Sequence, residues 1–265
     1  MSAPIIPLAA RVARALRFYH EPEVFLGVAV SSAWPTDSAP PDPNPANRTL
    51  GWVTAEVYTG TSLSSGNAFV KLLGQAAPFA DNQSYRVTVL SGTTYEVRRV
   101  SDNVLMGTTP LTTSTTPNTT AIPGLALTVS GSSLVAGDTY VFHADGFLCF
   151  KKADQVSLVV QDSTGTITYN GAQWLVIDPA NALAVGAYQV YVHAELDYTE
   201  VPVGITYHQV GLLTGLTRTS GLSTSVVALT PSQVTSTGLA ELVDNKTPQT
   251  RDSGSRQAYK YLLAF

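Results

Sequence analysis

AYQVYVHAELDY, residues 187–198, is the longest stretch of the chain that alternates residue by residue. Tyr188, Val190, Val192 and Ala194 fall on one side and Gln189, Tyr191, His193 and Glu195 on the other, the period of a β-strand. One face is set to pack, and the second meets water or another chain. The same period recurs on both sides of this stretch. QVSLVVQD, GTITYN and AQWLVID make a meander over 155–178, and YRVTVL (85–90) and TYEVRRV (94–100) alternate across the short loop SGT. Further strands are expected at VFLGVAV (24–30), WVTAEVY (52–58), LALTVSG (125–131) and DTYVFHA (138–144), the last two joined through AGD. TTPLTTSTTPNTT (108–120) reads as a Thr-rich connector. Short strands separated by Gly, Pro and Ser turns predict a sandwich or barrel rather than βαβ units.

One helix stands out, PLAARVARALRFYH at residues 7–20. Leu8, Val12, Ala15, Leu16 and Tyr19 share a face at helical spacing, Arg11 and Arg14 lie on the other, and Pro7 and Pro22 mark the ends. Such a helix suits docking on a sheet or on a neighbouring subunit. After the first strand comes AWPTDSAPPDPNP (33–45). Prolines fix φ and leave less entropy to lose, so this segment can lie in a groove as a stiff arm anchored by Trp34.

Composition narrows the function. With 44% hydrophobic and 13% charged residues and a net charge of −4, the chain reads as ordered and poor in charge. Lys and Arg are not clustered, so no nucleic-acid partner is expected. No run of about 20 apolar residues is present, so no membrane contact is expected, and synthesis in a cytoplasm is. Cys149, in FLCF, is the only cysteine and reads as a small core residue. The sequons at Asn47, Asn82, Asn118 and Asn245 read as chance matches in a Ser/Thr-rich chain.

Catalytic patterns such as G-x-S-x-G, the Walker loop, H-E-x-x-H and C-x-x-C do not occur. Of the histidines at 20, 143, 193 and 208, His193 is paired with Glu195 on one strand face, with Asp197 next along the chain. Two ligands are too few for a metal, which takes three or four. No cofactor and no enzymatic reaction are expected.

Three stretches carry a resemblance: RALRFYHEPEVFLGVAVSSAWPTDSAPPDPNP (14–45), YVHAELDYTEVPVGITYHQVGLLTG (191–215) and GLAELVDNKTPQTRDSGSRQAYKYLLAF (238–265). In type and order they resemble the upper, outer baseplate wedge subunits of contractile-tailed bacteriophages. TYEVRRVSDNVLMGTT (94–109) and LALTVSGSSLVAGDTYVF (125–142) depart from that pattern and are similar to the β-rich inserts of flagellar hook-associated proteins. The resemblance implies a mainly β fold. Its β-sandwich core would comprise residues 1–60 and 147–265 with the one short N-terminal helix, and residues 61–146 would form an inserted β module. It also implies a structural virion protein of the tail baseplate, a homodimer in contact with other baseplate and tail proteins. Contact residues are expected at Trp34, Pro35, Pro40, Pro41, Tyr191, His193, Tyr198, Asn245 and Pro248. Tyr188, Tyr207 and Tyr259 are further candidates for contact surface. The alternative is a carbohydrate- or host-receptor-binding module whose binding face is the insert.

Overall fold

A computed structural model describes residues 5–43, 49–60, 70–75, 83–107, 110–122, 125–129, 134–198, 200 and 204–265. The expected helix is α1 (Leu8–Tyr19). Its residues favour helix apart from one β-branched valine, Pro7 caps its start, and Pro22 follows its end. The buried face is Val12, Ala15 and Phe18, with Leu16 and Tyr19 half-buried. Leu8 is half exposed, and Phe18 is buried in its stead. Arg11 lies on the packed side rather than in solvent. Its guanidinium stacks 3.6 Å over the Tyr188 ring and donates to the Phe265 carbonyl.

After β1 (Val24–Ala29) the chain enters the middle segment: β2 (Trp52–Thr59), β3 (Val70–Gln75), β4 (Gln83–Ser91), β5 (Thr94–Arg99), β6 (Leu111–Thr112), β7 (Ser114–Ile122), β8 (Leu125–Val129) and β9 (Thr139–Asp145). These make a five-stranded sheet in the order β2-β9-β4-β5-β6 and a three-stranded sheet in the order β3-β8-β7. The two sheets enclose a core of their own, with Val87, Tyr95, Val97, Ile122, Leu127 and Phe142 inside. Three expectations change here. The strand at 52–58, assigned to the main core, pairs with β9. β8 and β9, read as neighbours across AGD, belong to different sheets. The Thr-rich stretch is a strand from Ser114 onward, as suits β-branched residues.

The rest comprises β10 (Phe147–Lys152), β11 (Gln155–Gln161), β12 (Ile167–Tyr169), β13 (Ala172–Val176), the one-turn α2 (Ala182–Val185), β14 (Gln189–Leu196) and β15 (Thr206–Thr214). β16 (Thr217–Arg218), β17 (Ala228–Leu229), β18 (Val234–Ser236), β19 (Leu239–Thr250) and β20 (Gln257–Ala264) complete it. Two five-stranded antiparallel sheets result, β17-β10-β1-β15-β19 and β12-β13-β11-β14-β20. They face each other across one core. Val24, Leu26, Val28, Val210 and Leu212 from the first sheet meet Leu158, Val190, Val192, Ala194 and Leu196 from the second, and α1 plugs one side. The fold is therefore mainly β, as the alternation predicted.

At the centre of the first sheet, β1 supplies two cores, as its neighbours β10 and β15 also do. Phe25 and Ala29 point away from the sandwich and join Trp34, Phe147, Phe150 and Leu213 in a second cluster. Gly27 sits where a Cβ would come within 2.7 Å of the Phe147 ring, so the close approach of β1 and β10 needs glycine there.

Cys149 on β10 is buried in the sandwich, and burial pushes its thiol up to about 12. Labelling with iodoacetamide near neutral pH should therefore be limited by unfolding of the native protein and complete in denaturant. Fast labelling of the native protein would show that the sandwich is open at β10.

Candidate functional site

The proline arm leaves β1 through Val30, whose φ of 61° is a left-handed conformation that a β-branched side chain rarely adopts. It is held there by hydrogen bonds to Gly146 and His208, both 2.9 Å. Buried Asp145 then accepts from the Ser31 hydroxyl and the Ser32 amide, and His143 bridges Ser32 and Ser84 at 3.1 and 3.2 Å. Trp34 is buried. Its indole N–H donates to the Lys246 carbonyl at 2.7 Å, and its ring stands edge-on to Trp52 at 4.9 Å. The Asp37 carboxylate accepts the Trp34 amide at 2.9 Å, and the Ala39 amide closes a turn onto Thr36.

Further along, the arm is tied by a relay of side-chain amides. Asn245 donates to the Pro41 carbonyl at 2.7 Å and accepts from Gln209 at 2.7 Å, while Gln209 accepts the Gly51 amide at 2.7 Å. The relay runs from the arm across β19 to β15 and to the residues that lead into β2. Proline lacks an N–H, so a segment rich in it needs few ladder partners and can be held by its carbonyls.

Trp34, Pro41 and Asn245 are thus brought together, on this chain itself. Pro40 is half-buried beside them, and Pro35 is exposed. Tyr191 is buried on the outer face of its sheet against Val159 and Trp174. Tyr198 is exposed at the end of β14, and Pro248 is exposed on edge strand β19, where proline is tolerated. His208, Gln209 and Asp37 complete the arm's dock without having been singled out in the sequence. The one available signal was the Tyr-x-Gln-Val-Gly stretch, which places Gln209 in a strand but not beneath the arm.

The second cluster gathers the residues that looked most like acid–base chemistry. His193, Glu195 and Asp197 line an open cleft of about 420 Å³ with Lys151, Asp154, Glu200 and Arg256. Their charges are spent on one another. Lys151 lies 2.7 Å from both Glu200 oxygens and 3.6 Å from Asp154. Arg256 reaches Glu195 at 3.2 Å and Asp197 at 3.1 Å. The Tyr198 amide, more than Arg256, holds Asp197 below the usual carboxylate range against the opposing effect of burial. A general acid needs the opposite displacement. Among the described residues, no group of three or more His, Cys, Asp and Glu side chains is placed to hold a metal ion. The arrangement does the work of a brace: it ties β10, β14 and the approach to β20.

Residues 145–265 match the family described as "Baseplate wedge 3 tail fiber network component". Over this part the chain is similar to phage baseplate wedge proteins. "Virion protein 3" of Enterococcus phage phiEF24C is 31% identical over 120 residues, 43% of this chain and 65% of that protein. The chain therefore spans just under two thirds of that relative. These similarities bear out the resemblance to baseplate wedge proteins over residues 145–265. The matched span holds the whole second sheet and the two strands, β15 and β19, that carry the arm; α1, β1, the arm and the middle segment lie outside it.

Replacing Trp34 by Ala should cost about 3–5 kcal/mol in denaturant unfolding, the usual range for emptying a buried aromatic site. A loss below about 1 kcal/mol would mark the segment as a solvated linker.

Proposed function

We propose that this chain is a homodimeric building block of a phage baseplate wedge that holds neighbouring tail proteins in place and carries out no reaction of its own. The similarity over residues 145–265 carries this reading, because it covers the strands β15 and β19 that carry the arm and the residues of the ion-paired cleft. Two features of the surface support it. Cleft charges are tied up internally, which leaves shape and apolar area as the means of contact. Exposed apolar side chains also gather at the first turn of α1 and on α2: Ile5 at 86%, Ile6, Leu8, Leu183 at 61% and Val185. Leu8 and Gly186 are near neighbours, so the two groups adjoin. A patch of this kind on a structural protein marks a contact surface, and we assign it to the second copy of the chain.

The remaining exposed candidates, Pro35, Tyr198 and Pro248, are proposed contacts to other tail proteins, with half-buried Pro40 and His193 beside them. The middle segment, with its separate core, is proposed as an inserted module. The proposed module spans residues 61–146, and β2, just before it, pairs with its strand β9.

Light scattering coupled to gel filtration tests the self-association. The unaltered protein should elute at twice its monomer mass, and Leu183→Glu should shift it to monomer with unchanged thermal unfolding. A monomer at micromolar concentration in the unaltered protein would remove the dimer from the proposal.

A further inference from the structure

His208 lies under the arm with one ring nitrogen engaged and the other idle. On β15 it is 2% exposed. Its Nδ1 is 3.2 Å from the Val30 carbonyl, an acceptor only, so this nitrogen carries a proton and donates. Its Nε2 is buried and has no hydrogen-bond partner among the described residues. It faces Asp37 Oδ1 at 3.4 Å. That same oxygen accepts the Trp34 amide, and the Trp34 ring stands edge-on to the imidazole at 5.9 Å. Neutral His208 therefore turns a lone pair toward a carboxylate, whereas protonated His208 turns an N–H toward it.

Among the described residues, the neighbouring charged and titratable groups are engaged elsewhere: on β9, His143 bridges Ser32 and Ser84. On β19, Lys246 gives its carbonyl to Trp34, and its ammonium is held by Asp244 at 2.5 Å. On the β1 side, the contact is the backbone of Val30, with Ser31 and Ser32 beyond it bonded to Asp145. From the described part of the arm, the charged group facing the ring is Asp37.

We propose that His208 and Asp37 form a proton-operated latch: protonation of His208 locks the proline arm onto β15 and β19, and loss of that proton loosens it. The sign follows from linkage. A docked arm that favours the protonated ring must itself be favoured by protons, so docking tightens as pH falls. Because the arm connects the end of β1 to edge strand β19, the latch sets how firmly that edge is covered.

Amide hydrogen exchange across the arm tests the latch. The reporters are the Trp34 amide, bonded to Asp37, and the Ala39 amide, bonded to Thr36. Each is compared at about pH 5.5 and about pH 7.5, after correction for intrinsic exchange, in the unaltered chain and in Asp37→Asn. Protection in the unaltered chain should drop about fivefold or more toward the higher pH, as expected when one charge-assisted hydrogen bond is broken. Asp37→Asn keeps the accepting oxygen and removes the charge, so its protection should be equal at the two pH values. Equal protection in the unaltered chain would overturn the latch. A drop of the same size persisting in Asp37→Asn would also overturn it, since the titrating group would then act without Asp37.

Discussion

The two-sided burial of β1 is the constraint on which the rest of the structure depends. All six of its residues are buried. Val24, Leu26 and Val28 close the sandwich against the second sheet, while Phe25 and Ala29 support the cluster that receives Trp34. A strand covered on both faces fixes its register strongly, because a slip of one residue would exchange the two sets of side chains. The arm leaves from the end of β1, so its starting point is set by the same register. The left-handed turn at Val30, held from two sides by backbone hydrogen bonds, converts that position into the direction in which Trp34 enters its pocket.

Local pattern made part of this legible. The alternation in 187–198 and the hairpin across SGT appear as β14 and as the β4–β5 pair, because period two and turn chemistry are properties of neighbouring residues. Long-range pairing was not legible. Nothing in WVTAEVY distinguishes a strand of the main core from one that pairs with residues 139–145, since the alternation does not name the partner strand. The arm shows the same limit. Its stiffness and its tryptophan anchor follow from composition, but the amide that holds Pro41 belongs to Asn245, 204 residues away. His208 was one scattered histidine among four until the fold placed it under Asp37. Half-exposed Leu8 and buried Phe18 depend on what the helix packs against, which periodicity does not encode.

Polar chemistry in this chain serves construction. Arg251 is among the largest fully buried side chains and donates to the carbonyls of Leu196 and Asp197 at the end of β14. The ion pairs of Lys151 and Arg256 brace the same corner from the cleft side. Glu23 belongs to a similar brace. Burial alone would raise its pKa, but hydrogen bonds from Arg218 and Lys152 outweigh that and hold its carboxyl below the usual range. These groups pin loops and sheet ends that the apolar cores do not reach. A protein built in this way presents fixed surfaces, as the proposed baseplate role requires.

Cryo-electron microscopy of the assembled virion tests the account most directly. It should place this chain in the baseplate, with residues 33–43 of each copy lying on that copy's own β15 and β19 and the Trp34 indole against the Lys246 carbonyl. A chain located outside the baseplate, or an arm that crosses to a neighbouring subunit with Trp34 out of its pocket, would contradict it.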